Sequence, residues 1–231
     1  MPDAADREFV AGIRSALAGA GDPERAAGQQ RYMKSEMPYY GVTLPQVRTL
    51  LKPLLEQHPP RSREVWEATV RALWDEATHR EEWYAAVMVA QHPAAGDWLD
   101  PASLDLWHHL VTTGAWWDVV DETAANLVGE VLAKHRAEVT PVMRAWAVDE
   151  HLWVRRTAVL CQLRATDATD LDLLRFAIES NLDSTSFWLR KAIGWALRQY
   201  ARTDPEWVRA EVDRLDGRLS GLSRREATKH L

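Results

Sequence analysis

Apolar and polar positions along the chain follow helical spacing, and nowhere do β-branched residues alternate cleanly with polar ones. Alanine, the strongest helix former, occurs 33 times, whereas isoleucine occurs 3 times. Helix start signals recur: four capping side chains stand before a proline, and one four-residue stretch has the form of a capping box. These are Asp22-Pro23, Asp100-Pro101, Thr140-Pro141 and Asp204-Pro205, and the stretch Ser223-Arg224-Arg225-Glu226. The pattern predicts an all-α protein of roughly a dozen helices, each about 10 to 18 residues long, without strands.

Four predicted helices begin with an aromatic residue at a nearly constant spacing. Trp83, Trp117, Trp153 and Trp188 are separated by 34, 36 and 35 residues, and a further 35 residues lead to Ser223. One more helix is predicted in each interval, at about 101–111, 141–148 and 171–178. Two helices in each repeat of this length are typical of an α-solenoid of HEAT-like repeats, which has a concave surface. We therefore expect a single domain over residues 1–231.

The composition is that of a soluble globular chain, with 46% apolar and 27% charged residues. The single cysteine, Cys161, excludes a disulfide framework and zinc sites built from several thiolates. No apolar run approaches the ~20 residues that cross a bilayer. Because the first residues are acidic where a signal peptide would be basic, we expect a cytoplasmic protein without membrane association.

The net charge of −6 argues weakly against a nucleic-acid partner, although it does not show where the charges lie. Arginine supplies 23 of the 28 cationic side chains, and arginine suits bidentate phosphate contacts. Genomic base composition explains this bias equally well.

The repeated helices carry a row of indoles and ionisable side chains at helical spacing. In chain order the row contains Trp117 and Asp121, then Trp153 and Arg156, then Trp188, Lys191 and Trp195. A core-facing stripe seldom holds ionisable groups, because an unpaired buried charge costs several kcal/mol, on the order of 5 or more. Two interpretations remain: a functional row on the concave surface, or a structural salt bridge between Asp121 and Arg156. The pattern alone favours the salt bridge.

Other candidate sites are weaker. His108 and His109 are adjacent and point about 100° apart on a helix, so they cannot share a metal ion. Glycines do not cluster into a phosphate-binding loop, and no Gly-x-Ser-x-Gly elbow occurs. We expect no metal and no cofactor, and we expect Glu81, Glu82 and Asp118 to be solvated or capping charges.

Six stretches, in this order and at these positions, resemble one known family. They are Arg31-Tyr32-Met33-Lys34, Tyr40-Gly41-Val42, Trp116-Trp117-Asp118-Val119-Val120-Asp121, Trp153-Val154-Arg155-Arg156, Lys191-Ala192-Ile193-Gly194-Trp195 and Leu222-Ser223-Arg224-Arg225-Glu226-Ala227. Together they resemble the bacterial DNA alkylation repair proteins of the AlkD type, which are DNA glycosylases built from HEAT-like repeats. The resemblance extends from about Ala11 to Leu231, and the agreement of several ordered motifs makes it specific.

The resemblance implies hydrolysis of the N-glycosidic bond of cationic alkylpurines, chiefly N3-methyladenine and N7-methylguanine, in double-stranded DNA. The family's catalytic aspartate matches Asp121, and its sugar-contacting tryptophans match Trp117 and Trp195. Its groove arginine matches Arg156, which we expect to hold a phosphate, and Tyr32 matches a further residue near the lesion. We expect additional phosphate contacts from basic residues beside these motifs, namely Arg155, Arg190, Lys191, Arg224 and Arg225. A monomer is expected, because DNA would occupy the concave groove.

A single carboxylate is chemically sufficient for such a reaction. Cleavage of a sugar–base bond passes through an oxocarbenium-like transition state, which negative charge near C1′ stabilises. A general acid normally protonates the leaving base, but a base alkylated at N3 or N7 is already a cation. With this resemblance, a catalytic Asp121 becomes the favoured interpretation.

Two other functions remain open. Some relatives with this architecture lack the catalytic carboxylate and bind damaged or branched DNA without cleaving it, but Asp121, Trp117 and Trp195 are all present here. A protein-binding scaffold without a DNA role would agree with the net negative charge.

Overall fold

The structure is a computed structural model that describes residues 4–231. Throughout this range every regular element is helical, so the all-α prediction is confirmed. No helix between residues 4 and 231 is both long enough and apolar enough to cross a membrane. The described residues divide into two compact units, one that ends at Trp98 and one that spans Leu99–Leu231. A single domain over residues 1–231 stays a prediction.

The first unit contains five α-helices and a terminal 3₁₀-helix in its described part. They are α1 Arg7–Gly19, α2 Pro23–Met33, α3 Leu44–Gln57, α4 Arg63–Asp75, α5 Arg80–Ala90 and the 3₁₀-helix Pro93–Trp98. Their apolar faces enclose a core that includes Ile13, Leu51 and Trp66.

A fully buried carboxylate fixes the loop between α2 and α3. Glu81 accepts hydrogen bonds from the backbone N–H groups of Tyr40, Gly41 and Val42 at 2.9 to 3.0 Å. Glu82, equally buried, caps the start of α5 through the backbone N–H of His79. The expected capping role is therefore confirmed for Glu82. Glu81 is neither solvated nor a helix cap, because the loop backbone replaces its water.

The second unit contains nine α-helices, two 3₁₀-helices and one π-helical turn. In chain order these are the 3₁₀-helix Pro101–Ser103, α6 Leu104–Gly114, α7 Trp117–Glu122, the π-turn Thr123–Val128, α8 Gly129–Lys134, α9 Arg136–Ala147, α10 Leu152–Leu160, the 3₁₀-helix Thr166–Ala168, α11 Leu171–Glu179, α12 Phe187–Tyr200, α13 Pro205–Arg214 and α14 Gly221–Ala227. Because α7, the π-turn and α8 follow one another directly, they form one helical segment with a wider turn in the middle.

The predicted repeat spacing agrees with this arrangement. Trp83, Trp117, Trp153, Trp188 and Ser223 all lie near the start of a helix. Within the second unit, the helices that carry them contact one another in succession, α7 with α10, α10 with α12, and α12 with α14. The intervening helices α9 and α11 also contact each other, as expected for stacked helical pairs.

Three of the predicted helix starts are confirmed. Asp22, Asp100 and Asp204 each accept a hydrogen bond from a backbone N–H in the first turn that follows, at 2.9 to 3.0 Å. In each case proline stands at the first helical position, where its missing N–H costs nothing.

The start predicted at Thr140-Pro141 is wrong. Helix α9 begins at Arg136, so Pro141 lies inside it. Proline cannot donate to the carbonyl four residues earlier, that of Ala137. Pro141 and Ala137 are both exposed, so this defect lies on the solvent side of the helix.

The capping box predicted at Ser223 is also wrong. Helix α14 begins at Gly221, and Ser220 caps it by accepting from the N–H of Ser223 at 3.0 Å. The Ser223 hydroxyl instead donates to the carbonyl of Arg190 at 2.8 Å, and Glu226 pairs with Lys191 of α12. Both side chains therefore join α14 to α12.

Candidate active site

Trp117, Asp121 and Trp195, which are distant in sequence, line one cavity of about 370 Å³ in the second unit. Trp117 and Asp121 are one turn apart on α7, and Trp195 comes from α12. The remaining lining residues are Asp118, Glu122, Ala125, Leu163, Arg164 and Gln199. An acidic side chain thus shares a concave space with two indoles.

A tight connection places Trp117 at the start of α7. Helix α6 ends at Gly114, Ala115 has a positive φ of 39°, and Trp116 is extended. The reversal takes only two residues, after which Trp117 opens the helix and Asp121 follows at i+4 on the same face. The π-turn begins at Thr123, directly after these residues, and its Ala125 also lines the cavity.

A glycine allows α14 to approach α12 beside Trp195. A Cβ atom on Gly194 would lie 2.4 Å from Glu226 Cβ and 2.7 Å from the Ser223 carbonyl oxygen. Any larger side chain would therefore push the two helices apart. The close contact fixes the segment of α12 that carries Trp195.

Arg156 of α10 holds the Asp121 carboxylate in a bidentate ion pair. Its Nε donates to Oδ1 and its Nη2 donates to Oδ2, both at 2.7 Å. Its Nη1 donates to the carbonyl of Trp188, and its guanidinium lies 5.9 Å from the ring centres of both Trp153 and Trp188. The salt bridge considered from the sequence is therefore present, and its carboxylate belongs to the cavity wall.

The pKa of the Asp121 carboxyl is raised above its ordinary value. Burial is the main cause, and the charge of Asp118 adds to it, whereas the hydrogen bonds and charge of Arg156 act in the opposite direction. Arg156 therefore favours the carboxylate form in a site where burial favours the neutral acid.

The sequence had led us to expect a phosphate contact from Arg156, but the structure buries this side chain almost completely. The Arg156 side chain is 3% exposed, and its donors are directed to Asp121 and the Trp188 carbonyl. Asp121 is 14% exposed and keeps an open side towards the cavity. In this structure Arg156 orients the carboxylate.

The other predicted phosphate contacts belong to α10, α12 and α14. Lys191 remains 38% exposed but pairs with Glu226 at 2.5 Å. Arg190 donates to the Ser184 carbonyl, and Arg224 pairs with Asp216. Arg155 is half-buried and Arg225 is exposed. None of these five residues lines the cavity described above.

Tyr32 belongs to the first unit. It lies in the last turn of α2 and is 77% exposed, which makes it the most exposed of the large apolar side chains. An aromatic side chain this open to solvent has no role in the core of that unit.

Three charged residues of the cavity wall were not predicted as site residues from the sequence. Asp118 and Glu122 flank Asp121 on α7, and Arg164 follows α10 and donates to the side chain of Asn126. Helical spacing places Asp118 beside Asp121, three residues later, and beside Glu122, four residues later. Arg164 lies in the turn after α10, where no periodicity indicates the direction of a side chain.

Residues 13–231 match the family model described as DNA alkylation repair enzyme. The chain belongs to the DNA alkylation repair enzyme family. It is also similar to a solved structure described as a predicted DNA alkylation repair enzyme from Enterococcus faecalis, with 32% sequence identity and a TM-score of 0.82. That similarity covers 91% of this chain and 96% of the other. No curated protein matches this chain.

Membership of the DNA alkylation repair enzyme family confirms the resemblance drawn from the sequence motifs. The matched region includes all residues of the cavity and also Tyr32 in the first unit. The family description makes DNA the expected substrate.

Proposed function

We propose that this protein is a DNA glycosylase that hydrolyses the N-glycosidic bond of cationic alkylpurines, such as N3-methyladenine and N7-methylguanine, in double-stranded DNA. The observation that supports this proposal is that Asp121, Trp117 and Trp195 line one cavity in a chain of the DNA alkylation repair enzyme family. No cofactor is required, and the protein acts as a monomer in the cytoplasm.

Asp121 carries the chemistry of the proposed reaction. As the C1′–N bond breaks, its electron pair moves into the alkylated base and neutralises the positive charge, so that a neutral base departs. The sugar becomes oxocarbenium-like, and the Asp121 carboxylate stabilises its positive charge. Water then bonds to C1′ and gives its proton to this carboxylate, leaving an abasic site.

Trp117 and Trp195 stabilise the same transition state through their ring faces. Both indoles line the cavity and are half-buried, so each keeps accessible surface for a deoxyribose. A cationic sugar against an indole face gains about 1–2 kcal/mol when water is excluded.

Arg156 acts as a positioning residue in this proposal. Its two hydrogen bonds fix both oxygens of Asp121. The indoles of Trp153 and Trp188 cover its guanidinium and exclude water from the ion pair. A carboxylate held in this way needs no reorientation as charge develops on the sugar.

Phosphate contacts in the proposed complex come from cations with solvent-accessible guanidinium or ammonium groups. Arg164 is exposed and belongs to the cavity wall, so it is placed to contact a phosphate next to the damaged nucleotide. Tyr32, Arg155, Arg190, Lys191, Arg224 and Arg225 remain the further proposed DNA contacts. Such contacts orient the duplex without reading its sequence.

The decisive experiment compares Asp121→Asn with the wild type in single-turnover release of 7-methylguanine from methylated duplex DNA. Asparagine keeps the shape of the side chain and one oxygen for Arg156 but loses the charge. We expect base release to fall by about 100-fold or more while DNA affinity changes little. Asp213→Asn on α13 is the matched control, because Asp213 is exposed and lies outside the cavity wall.

Each alternative function gives a different result in this experiment. Wild-type release by a stable Asp121→Asn protein would refute the catalytic role of this carboxylate. A wild-type protein that binds DNA but releases no base would be a non-catalytic DNA binder. A protein that neither binds DNA nor releases base would be a scaffold.

A further inference from the structure

The wall of the cavity has an acidic balance that is unusual for a surface next to DNA. Asp118, Asp121 and Glu122 contribute three carboxylates, and Arg164 is the cationic side chain among the lining residues. Arg156, which pairs with Asp121, lies behind it and is not part of this wall. The lining residues therefore carry more carboxylates than cations.

The three carboxylates come from successive turns of α7 and line the same cavity. Asp121 and Glu122 lie three and four residues after Asp118, so on a helix the side chain of Asp118 is a neighbour of both. They are not arranged as a metal site, since residues 4–231 contain no group of three or more His, Cys, Asp or Glu able to hold a metal ion. The same space is bounded by the indoles of Trp117 and Trp195, whose ring faces also attract cations.

We propose that Asp118 and Glu122 are specificity-determining residues that make the cavity select positively charged sugars and bases over neutral ones. This inference rests on the proposed function. Asp121 stabilises the charge at C1′, and the two flanking carboxylates extend the negative potential over the rest of the cavity. Undamaged nucleotides, which carry no charge on the base, do not gain from this potential.

The charge of Asp118 already reaches the reacting carboxylate in the free protein. Repulsion from Asp118 contributes to the raised pKa of Asp121, so the two groups interact electrostatically across the cavity wall. A cation placed near both carboxylates is attracted by the same potential that repels a second carboxylate. Because the cavity is partly closed to solvent, this field is weakened less than at an open surface.

The test measures binding of two duplexes that differ only in the charge of an abasic analogue. One contains a pyrrolidine analogue, which is cationic at neutral pH, and the other contains an uncharged tetrahydrofuran analogue. The ratio of their Kd values reports selection for positive charge independently of catalysis. We expect Asp118→Asn and Glu122→Gln each to reduce the wild-type preference for the pyrrolidine by about 5–10-fold.

The matched controls are Asp213→Asn and Glu138→Gln, which remove one exposed charge each outside the cavity wall and should keep the wild-type ratio. The charge-preserving variants Asp118→Glu and Glu122→Asp should also retain most of it. Asp118 repels the Asp121 carboxylate, so the loss of Asp118 favours the charged form of Asp121. This effect alone would strengthen cation binding. A reduced preference in Asp118→Asn is therefore due to the missing charge at residue 118.

Two results would overturn this inference. The first is a Kd ratio that stays at the wild-type value in both neutral variants, and the second is an equal loss of affinity for both duplexes, which indicates a structural role. If one variant does not fold, as judged by thermal unfolding, the other decides. Failure of the proposed function is seen separately, as absence of 7-methylguanine release by the wild type.

Discussion

Asp121 experiences two opposing influences, and their balance sets the pH range in which it is a carboxylate. Burial raises its pKa, while the bidentate contact with Arg156 favours the ionised form. A carboxylate with a raised pKa is a stronger base than an exposed aspartate, which suits removal of a proton from water. Arg156 acts against the effect of burial and favours the charged form of Asp121, whose side chain is 14% exposed.

This balance predicts an acid limb in the pH–rate profile of base release. Activity falls as the pH drops through the pKa of Asp121, so the limb lies above the ordinary aspartate value of about 3.9. In Arg156→Lys the bidentate pairing is lost and the pKa rises further, so the limb moves to higher pH and activity recovers in alkaline buffer. Single-turnover rates across pH, with thermal unfolding as a check on folding, measure this shift.

Asp118→Asn provides the control of opposite sign. Because Asp118 repels the Asp121 carboxylate, its removal lowers the pKa of Asp121 and moves the limb to lower pH. A purely structural Arg156 would instead give a uniform loss of rate at every pH, and that outcome would contradict the positioning role.

At the scale of single residues, the sequence predicted which side chains lie together better than it predicted the burial of their partners. Helical spacing and the family motifs brought together Trp117, Asp121 and Trp195, which the structure places in one cavity. The pairing of Arg156 with Asp121, 35 positions earlier, was one of the two interpretations of the sequence, and the structure contains it. The near-complete burial of Arg156 was not predicted, because it depends on the packing of α10 against α7, which a linear pattern does not contain.

At the scale of elements, the site depends on how closely helices approach one another. Gly194 is buried against the backbone of α14, whereas Gly28 in α2 has open space where a Cβ would stand. Both glycines lie inside helices, so alanine improves the helix propensity at both positions by a similar amount. The two substitutions therefore differ in the contact that the new methyl group makes.

We predict opposite effects of alanine at these two positions. Gly194→Ala should lower the free energy of unfolding by about 1–3 kcal/mol, because the methyl group would clash with Ser223 and Glu226. Gly28→Ala should raise it by roughly 0.5–1 kcal/mol through helix propensity. Urea denaturation followed by circular dichroism measures both. A Gly194→Ala protein as stable as Gly28→Ala would show that α12 and α14 are not held at this distance.

At the scale of the whole molecule, the repeat spacing was the most informative signal. Two helices in each 34–36 residues predicted both the all-α fold and the order of paired helices in the second unit. The signal weakened at boundaries, where start patterns at Thr140 and Ser223 misplaced two helices. Those patterns report local capping preference, and tertiary contacts of α9 and α14 overrode it.

The net charge of −6 is the remaining property of the whole chain that the proposed function must accommodate. A protein with this charge binds DNA only if cations are concentrated where phosphates lie. The logarithm of the binding constant K then falls linearly with the logarithm of the salt concentration.

We predict that Arg164→Ala reduces the magnitude of the slope of log K against log salt concentration by about 1, because one phosphate contact is lost. Fluorescence anisotropy with a labelled duplex at several salt concentrations gives this slope. Arg209→Ala is the control, because Arg209 is equally cationic and exposed but lies on α13 beside Glu206, outside the cavity wall. An equal slope for Arg164→Ala and the wild type would remove Arg164 from the DNA-contacting surface.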